Sequence, residues 1–325
     1  MRRIRLVPDD TRIPFFRYRW IAFAWSFIVL IGAIIAEPTI GLEYGIDFKG
    51  GILLEAKTPG PADLARMREV LGGADLGDVE LQTGGAPDDV LIRTSAEAGD
   101  EAQQQAAIGK IKDTLEKGYG SGLVYQRAEF VGPKVSSELL MDGVYAVLVS
   151  LAGVFAYLWF RFEWQYGLGA IASLVHDVSA TIGIYAIFRI EFNLSSVAAI
   201  LTLVGYSLND TVVIYDRVRE NLRRYKTMPI AGLLDRSINE TLARTLMTSL
   251  TTLVALIPLW LLGGLVIRDF TIIMIWGVII GTYSTIYIAT PVLYYLNIRP
   301  HSSEPEPAKA EAAARPKAKA KVSAA

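Results

Sequence analysis

The sequence predicts a polytopic α-helical membrane protein with six transmembrane helices. One extracytoplasmic α+β domain lies between the first and second. Three observations predict it. Six apolar runs approach or exceed the roughly 20 residues that a bilayer span needs. Hydrophobic residues make up 52% of the chain against 20% charged, and the mean hydropathy is +0.35. Basic residues gather on one side of the alternating runs.

The elements follow in order. A basic segment, 1–19, precedes the first span at 20–36. That run resembles a secretory leader, but it is long, and Ile35-Ala36-Glu37-Pro38 is a poor cleavage site, so it is read as retained. The remaining runs are Leu139–Phe160, Gln165–Ile187, Leu194–Tyr215, Leu242–Leu262 and Phe270–Leu296, within a membrane region of 138–296. Arg2, Arg3, Arg5, Arg12, Arg17 and Arg19 flank the first span. Arg217, Arg219, Arg223, Arg224, Lys226 and Arg236 lie between the fourth and fifth, while the opposite short loops hold only Arg189 and Arg268. The excess of cations marks the cytoplasmic side, so both termini are expected there. The loop Asp216–Glu240 is partly amphipathic and is expected to form a short surface helix against lipid headgroups. The tail 297–325 has almost no large apolar residues and cannot bury a core, so it is expected to be disordered. Its lysines suit a solubilising tail, or contact with anionic lipid or ribosomal RNA.

Segment 37–137 is predicted to lie outside. Gly51–Lys57, Val79–Thr83, Val90–Thr94 and Leu123–Val131 read as strands. Pro61–Leu71 reads as a helix with Leu64, Met67, Val70 and Leu71 on one face, and Glu97–Lys117 as another with Ile108, Ile111 and Leu115 aligned. The order βαββαβ is the ferredoxin-like split motif, which hosts many functions.

Composition removes several chemistries. There is no cysteine, hence no disulfide or thiolate site, and only two histidines. A net charge of −1 gives no bulk attraction to nucleic acid. No phosphate-binding loop, metal-ligand spacing or nucleophile elbow appears, so no cofactor and no ATPase or other enzymatic step is expected.

What remains is charge inside the apolar runs. Asp210 lies within the fourth, and a charge at the bilayer centre costs roughly 2.5–3.5 kcal/mol. Arg244 lies near the start of the fifth and is expected to pair with it. A carboxylate that is desolvated when alone and paired when its partner approaches can bind and release a proton. A static ion pair fixing helix register is the alternative. Asn209, Ser207 and Thr211 are placed to hydrogen-bond one state. Asp177, beside His176, joins the candidate proton pathway. Helical spacing lines up Gly169, Ser173, Asp177 and Thr181. The same spacing aligns Gly143, Ala146, Ser150 and Gly153, then Arg244, Thr248 and Thr252, and finally Gly277, Gly281, Thr285 and Ala289. Glycines crowd Gly41–Gly51, which reads equally as a hinge or a plain connector.

Several motifs now become specific. Gly45-Ile-Asp-Phe-Lys-Gly-Gly51, with Asp47, Phe48 and Gly50 inside it, resembles a hallmark of the SecD/SecF family. Val131-Gly-Pro-Lys-Val135, His176-Asp-Val178, Gly205-Tyr-Ser-Leu-Asn-Asp-Thr211, Asp216-Arg-Val-Arg-Glu-Asn221 and Arg244-Thr245 follow in the family's order. The resemblance covers roughly 15–296. It implies a bacterial inner-membrane subunit related to the resistance-nodulation-division transporters, and the six-span half that works with SecD. It also implies association with the SecYEG channel and YajC, and a preprotein substrate whose late translocation is promoted by the proton motive force. The family's essential membrane acid maps onto Asp210 and its partner arginine onto Arg244. Two other readings stand beside this one. A passive docking subunit would stabilise SecD. A small-molecule proton antiporter is disfavoured, because a domain of about 100 residues offers little cavity.

Overall fold

The computed structural model describes residues 8, 11–74, 79–84, 86–94, 101–263 and 265–298. The expected helix start at Glu97, the tail from residue 299 and the first seven residues lie outside these. Six helices are long and apolar enough to cross a membrane. They are α1 (Arg19–Ile40), α5 (Pro133–Arg161), α6 (Trp164–Phe188), α7 (Leu194–Arg224), α8 (Ile230–Leu262) and the last span, Ile267–Tyr295. The last span combines α9 (Leu265–Ser284), a π-helical stretch at Thr285–Ala289 and α10 (Thr290–Tyr295). Pro133 sits in the first turn of α5, where its missing N–H costs nothing, so the Gly132-Pro133 motif is a helix start.

Between α1 and α5 come β1 (Glu43–Tyr44), α2 (Ile46–Lys49), β2 (Gly51–Lys57) and α3 (Leu64–Gly72). They are followed by β3 (Val79–Thr83), β4 (Asp89–Thr94), α4 (Glu101–Gly118) and β5 (Val124–Val131). The order from β2 to β5 is βαββαβ, and the four strands form one antiparallel sheet in the order β3-β4-β2-β5. Alternation along β2 puts Ile52, Leu54 and Ala56 against Met67 and Leu71 of α3 and Ile108, Ile111 and Leu115 of α4. Helix α3 starts later than Pro61, because the Asp63 carboxylate accepts the Arg66 N–H at 3.0 Å and so caps it.

The expected surface helix between the fourth and fifth spans is corrected. Helix α7 runs on to Arg224, α8 begins at Ile230, and only a turn separates them. At 31 and 33 residues these helices are about 46 and 50 Å long, well beyond a hydrocarbon core of about 30 Å. Polar pairing carries them past it. Asn221 donates to Ser237 Oγ (3.0 Å) and to Glu240 (2.8 Å), and Arg236 bonds Glu240 one turn away (2.8 Å). The apolar run ended at Tyr215; the helix did not.

Small residues set the helix approaches. A Cβ on Gly183 would lie 2.6 Å from the Ala33 Cβ, so α1 meets α6 nearly backbone to backbone, while Gly277 of α9 leaves room for the Leu203 side chain of α7. The segment before α1 is fastened to α8. The Ile13 N–H donates to Asn239 Oδ1 and the Asn239 amide donates back to Ile13 O, both at 2.9 Å, while Phe16 N–H donates to Asp235 at 2.7 Å. Phe15 and Phe16 are buried beneath this strap, near Tyr287 and Tyr294.

Candidate functional site

Asp177 is the best-enclosed carboxylate in the bundle, with no exposed surface. The four-residue period that aligned Gly169, Ser173, Asp177 and Thr181 is the buried face of α6. Asp177 Oδ2 accepts from Ser207 Oγ of α7 and Ser284 Oγ of α9, each at 2.7 Å. Ser173 donates to Ser284 (2.8 Å), and His176 Nδ1 lies 3.1 Å from Asp177 Oδ1. Three helices thus converge on one carboxylate, which replaces water as a buried polar group requires. His176 Nε2 is buried and has no hydrogen-bond partner among the described residues.

Asp210 follows Ser207 by one turn of α7 and is 2% exposed. Its Oδ1 accepts a long bond from Thr248 Oγ1 of α8 (3.5 Å), and its Oδ2 accepts none among the described residues. Beside it, Thr211 and Thr285 share a hydrogen bond of 3.0 Å. Thr285 opens the π-helical stretch, and such stretches are frequent at functional sites.

Arg244 lies close enough for its charge to act on Asp210, but not in direct contact with it. Among the described residues no ion pair joins them, and Arg244 is exposed. Helix α8 buries Ile238, Thr241, Thr245 and Ser249, which turns Arg244 outward. Asn209 is exposed on α7, on the same open side as Thr202 and Gly205. The polar stripes therefore separate. Those of α6 and α9 line the interior, with Gly277, Gly281, Thr285 and Ala289 all buried, whereas the α8 stripe straddles the edge, with Thr248 reaching Asp210 and Arg244 exposed. Of the α5 stripe only Gly143 is buried, against Val197, and Gly153 meets nothing.

The glycine-rich motif is not beside the acids. It sits at the start of α7, 16 residues and so about 24 Å along the helix from Asp210. Gly45 precedes the single turn α2, and Gly50 and Gly51 take positive φ (75° and 121°), which only glycine adopts easily. Phe48 is buried and packs on Phe192 (5.7 Å between centroids). Asp47 Oδ2 accepts the Leu194 N–H at 2.9 Å, a favourable place for a carboxylate at a helix N-terminus. Strand β1 pairs in parallel with β6 (Glu191–Phe192), in the connection between α6 and α7.

Two residues of this joint were missed in the sequence, Arg93 and Glu191. Arg93 of β4 is 8% exposed and forms an ion pair with Glu191. Burial pushes the Glu191 carboxyl above its ordinary range, and Arg93 pulls it back. Arg189 bonds Glu43 through Nε at 2.6 Å. The one available signal was alternation, since Val90 and Ile92 face the domain core and Arg93 must then face the other way. Among the described residues no cluster of histidine and carboxylates suits a metal ion.

Comparison with known proteins agrees over most of the chain. The family model "Protein export membrane protein SecD/SecF, C-terminal" matches residues 110–299. Protein translocase subunit SecF of Cereibacter sphaeroides is 42% identical over 302 residues, covering 91% of this chain and 93% of the relative. Protein translocase subunit SecDF of Brucella abortus is 44% identical, covering 93% of this chain but 40% of that longer protein. The crystal structure of SecDF from Thermus thermophilus, a translocon-associated membrane protein, superposes with a TM-score of 0.80 at 32% identity, covering 89% of this chain and 39% of that one. SecDF in its super-membrane-facing form gives 0.65 at 32% identity, covering 94% and 40%. The chain is a multi-pass membrane protein that belongs to the SecD/SecF family of protein export membrane proteins, on its SecF side.

Proposed function

We propose that this chain, with a SecD-type partner, uses the proton motive force to help preproteins complete translocation across the bacterial inner membrane. It carries no ATPase or other enzymatic step of its own, and needs no cofactor beyond the proton gradient. Both termini are cytoplasmic, the α+β domain faces the periplasm, and SecYEG and YajC are the neighbouring assembly. The observation that carries the reading is Asp210: a buried carboxylate within a membrane span, one oxygen weakly bonded and the other unpartnered among the described residues. A group so placed is expensive to keep and suited to taking up a proton. Asp177, already bonded by two serines, positions α6, α7 and α9 around it.

Arg244 and Asn209 enter through the partner. Both are exposed on the bundle's surface, within or at the edge of apolar runs, so they face where a second membrane half packs. The fused relatives are more than twice as long and hold such a half. The Asp210–Arg244 interaction then forms or breaks as that half moves. One charge crossing 100 mV releases about 2.3 kcal/mol, enough for a bias of nearly two decades.

The test is proton-driven preprotein release from membrane vesicles containing Asp210→Asn at matched complex levels. Release is expected to fall to the level seen without a gradient. The exposed polar line also suits a passive docking subunit. Unchanged release with an intact complex would establish that second reading and sink the first.

A further inference from the structure

The joint between sheet and bundle ties the two acid-bearing helices to the α+β domain. Helix α6 carries Asp177 and helix α7 carries Asp210, and the two are joined only by residues 189–193. That connection is held to the other side of the joint at four kinds of contact. Strand β6 within it pairs with β1, with Glu43 opposite Glu191 and Tyr44 opposite Phe192. Gly45 N–H donates to Phe192 O at 2.9 Å. Asp47 accepts from Leu194 N–H. Arg93, from the middle of the four-stranded sheet, forms its ion pair with Glu191. Aromatic rings close the joint, with Phe192 against Tyr44, Phe48 and Tyr185. A Cβ on Gly45 would crowd Asn193 Cβ at 3.1 Å and push aside the ion-paired Glu191 carboxylate. A loose hinge does not need such an approach; a closed clasp does.

Resting on the proposed function, we infer that Arg93 and Glu191 are the positioning residues of a clasp that stays closed through the working cycle. It transmits movement of the α6–α7 pair to the sheet as a rigid unit. The Gly45–Gly51 motif is then part of the grip, and bending occurs elsewhere.

The chain's lack of cysteine makes this testable. Glu43 and Glu191 are register partners in adjacent strands about 4.8 Å apart, a separation a disulfide spans. The variant Glu43→Cys/Glu191→Cys removes both ion pairs when reduced and restores the join covalently when oxidised. In assembled complex in vesicles, proton-driven release is expected to fall at least fivefold in the reduced form and to recover on oxidation. Arg93→Glu is expected to lose release, with recovery on adding Glu191→Arg. Redox-reversible recovery in one assembled sample separates transmission from a folding defect. If oxidation abolishes release, the joint must open and the clasp is wrong; normal release in the reduced form overturns it equally. Asp210→Asn run in parallel keeps the two ideas apart. Its loss of release alongside indifferent clasp variants sinks only the clasp, and its normal release sinks the proton reading itself.

Discussion

Asp177 and Asp210 are both buried carboxylates in the same bundle, related through Ser207, yet their surroundings are opposite. Asp177 receives two short hydroxyl bonds and a histidine contact from three helices. Asp210 receives one bond at the limit of hydrogen-bonding distance and lies beside an open polar face. A satisfied carboxylate holds helices together, and one with spare capacity can change state. Burial alone does not separate these roles; the count of donors does.

Asp210→Asn tests that contrast most sharply. It is nearly isosteric, so the complex should assemble and unfold as before, while gradient-dependent release disappears in vesicle assays. Asp177→Ala should behave in reverse, leaving Ser207 and Ser284 without their acceptor. It is expected to cost about 3 kcal/mol in thermal unfolding of the purified complex. If Asp177→Ala kept full stability, the structural half of the contrast would be wrong. Arg244→Gln should weaken association with the SecD-type half by about tenfold, or about 1.4 kcal/mol, measured by co-purification at rising detergent. Finally, Asp63→Ala, far from either acid, should cost the domain about 1 kcal/mol through its lost helix cap and leave release intact.

Much of this arrangement was legible in the residues. Six apolar runs and a βαββαβ pattern read directly, because spans and strands are local periodicities. The α6 stripe was legible for the same reason. Arg244 was not, because a polar stripe shows which residues share a face and not whether that face is covered. The same limit hid the inward turn of Ser284. Helix extension past Tyr215 failed differently: loss of hydrophobicity ends a span without ending a helix, provided side chains such as Asn221 and Glu240 pair across the hairpin. Arg93 and Glu191 lie 98 positions apart, and only the tertiary fold makes them neighbours.

The strap before α1 bears on how the chain is made. Ile13 is held by Asn239, 226 positions later in synthesis. At roughly 5–20 residues per second, about 10–45 s separate the two on the ribosome. During that interval α1 sits in the membrane with its foot unfastened, able to find Gly183 of α6 before it finds α8. The first span can thus dock on α6 early, while the strap at its foot must wait for α8 to be made.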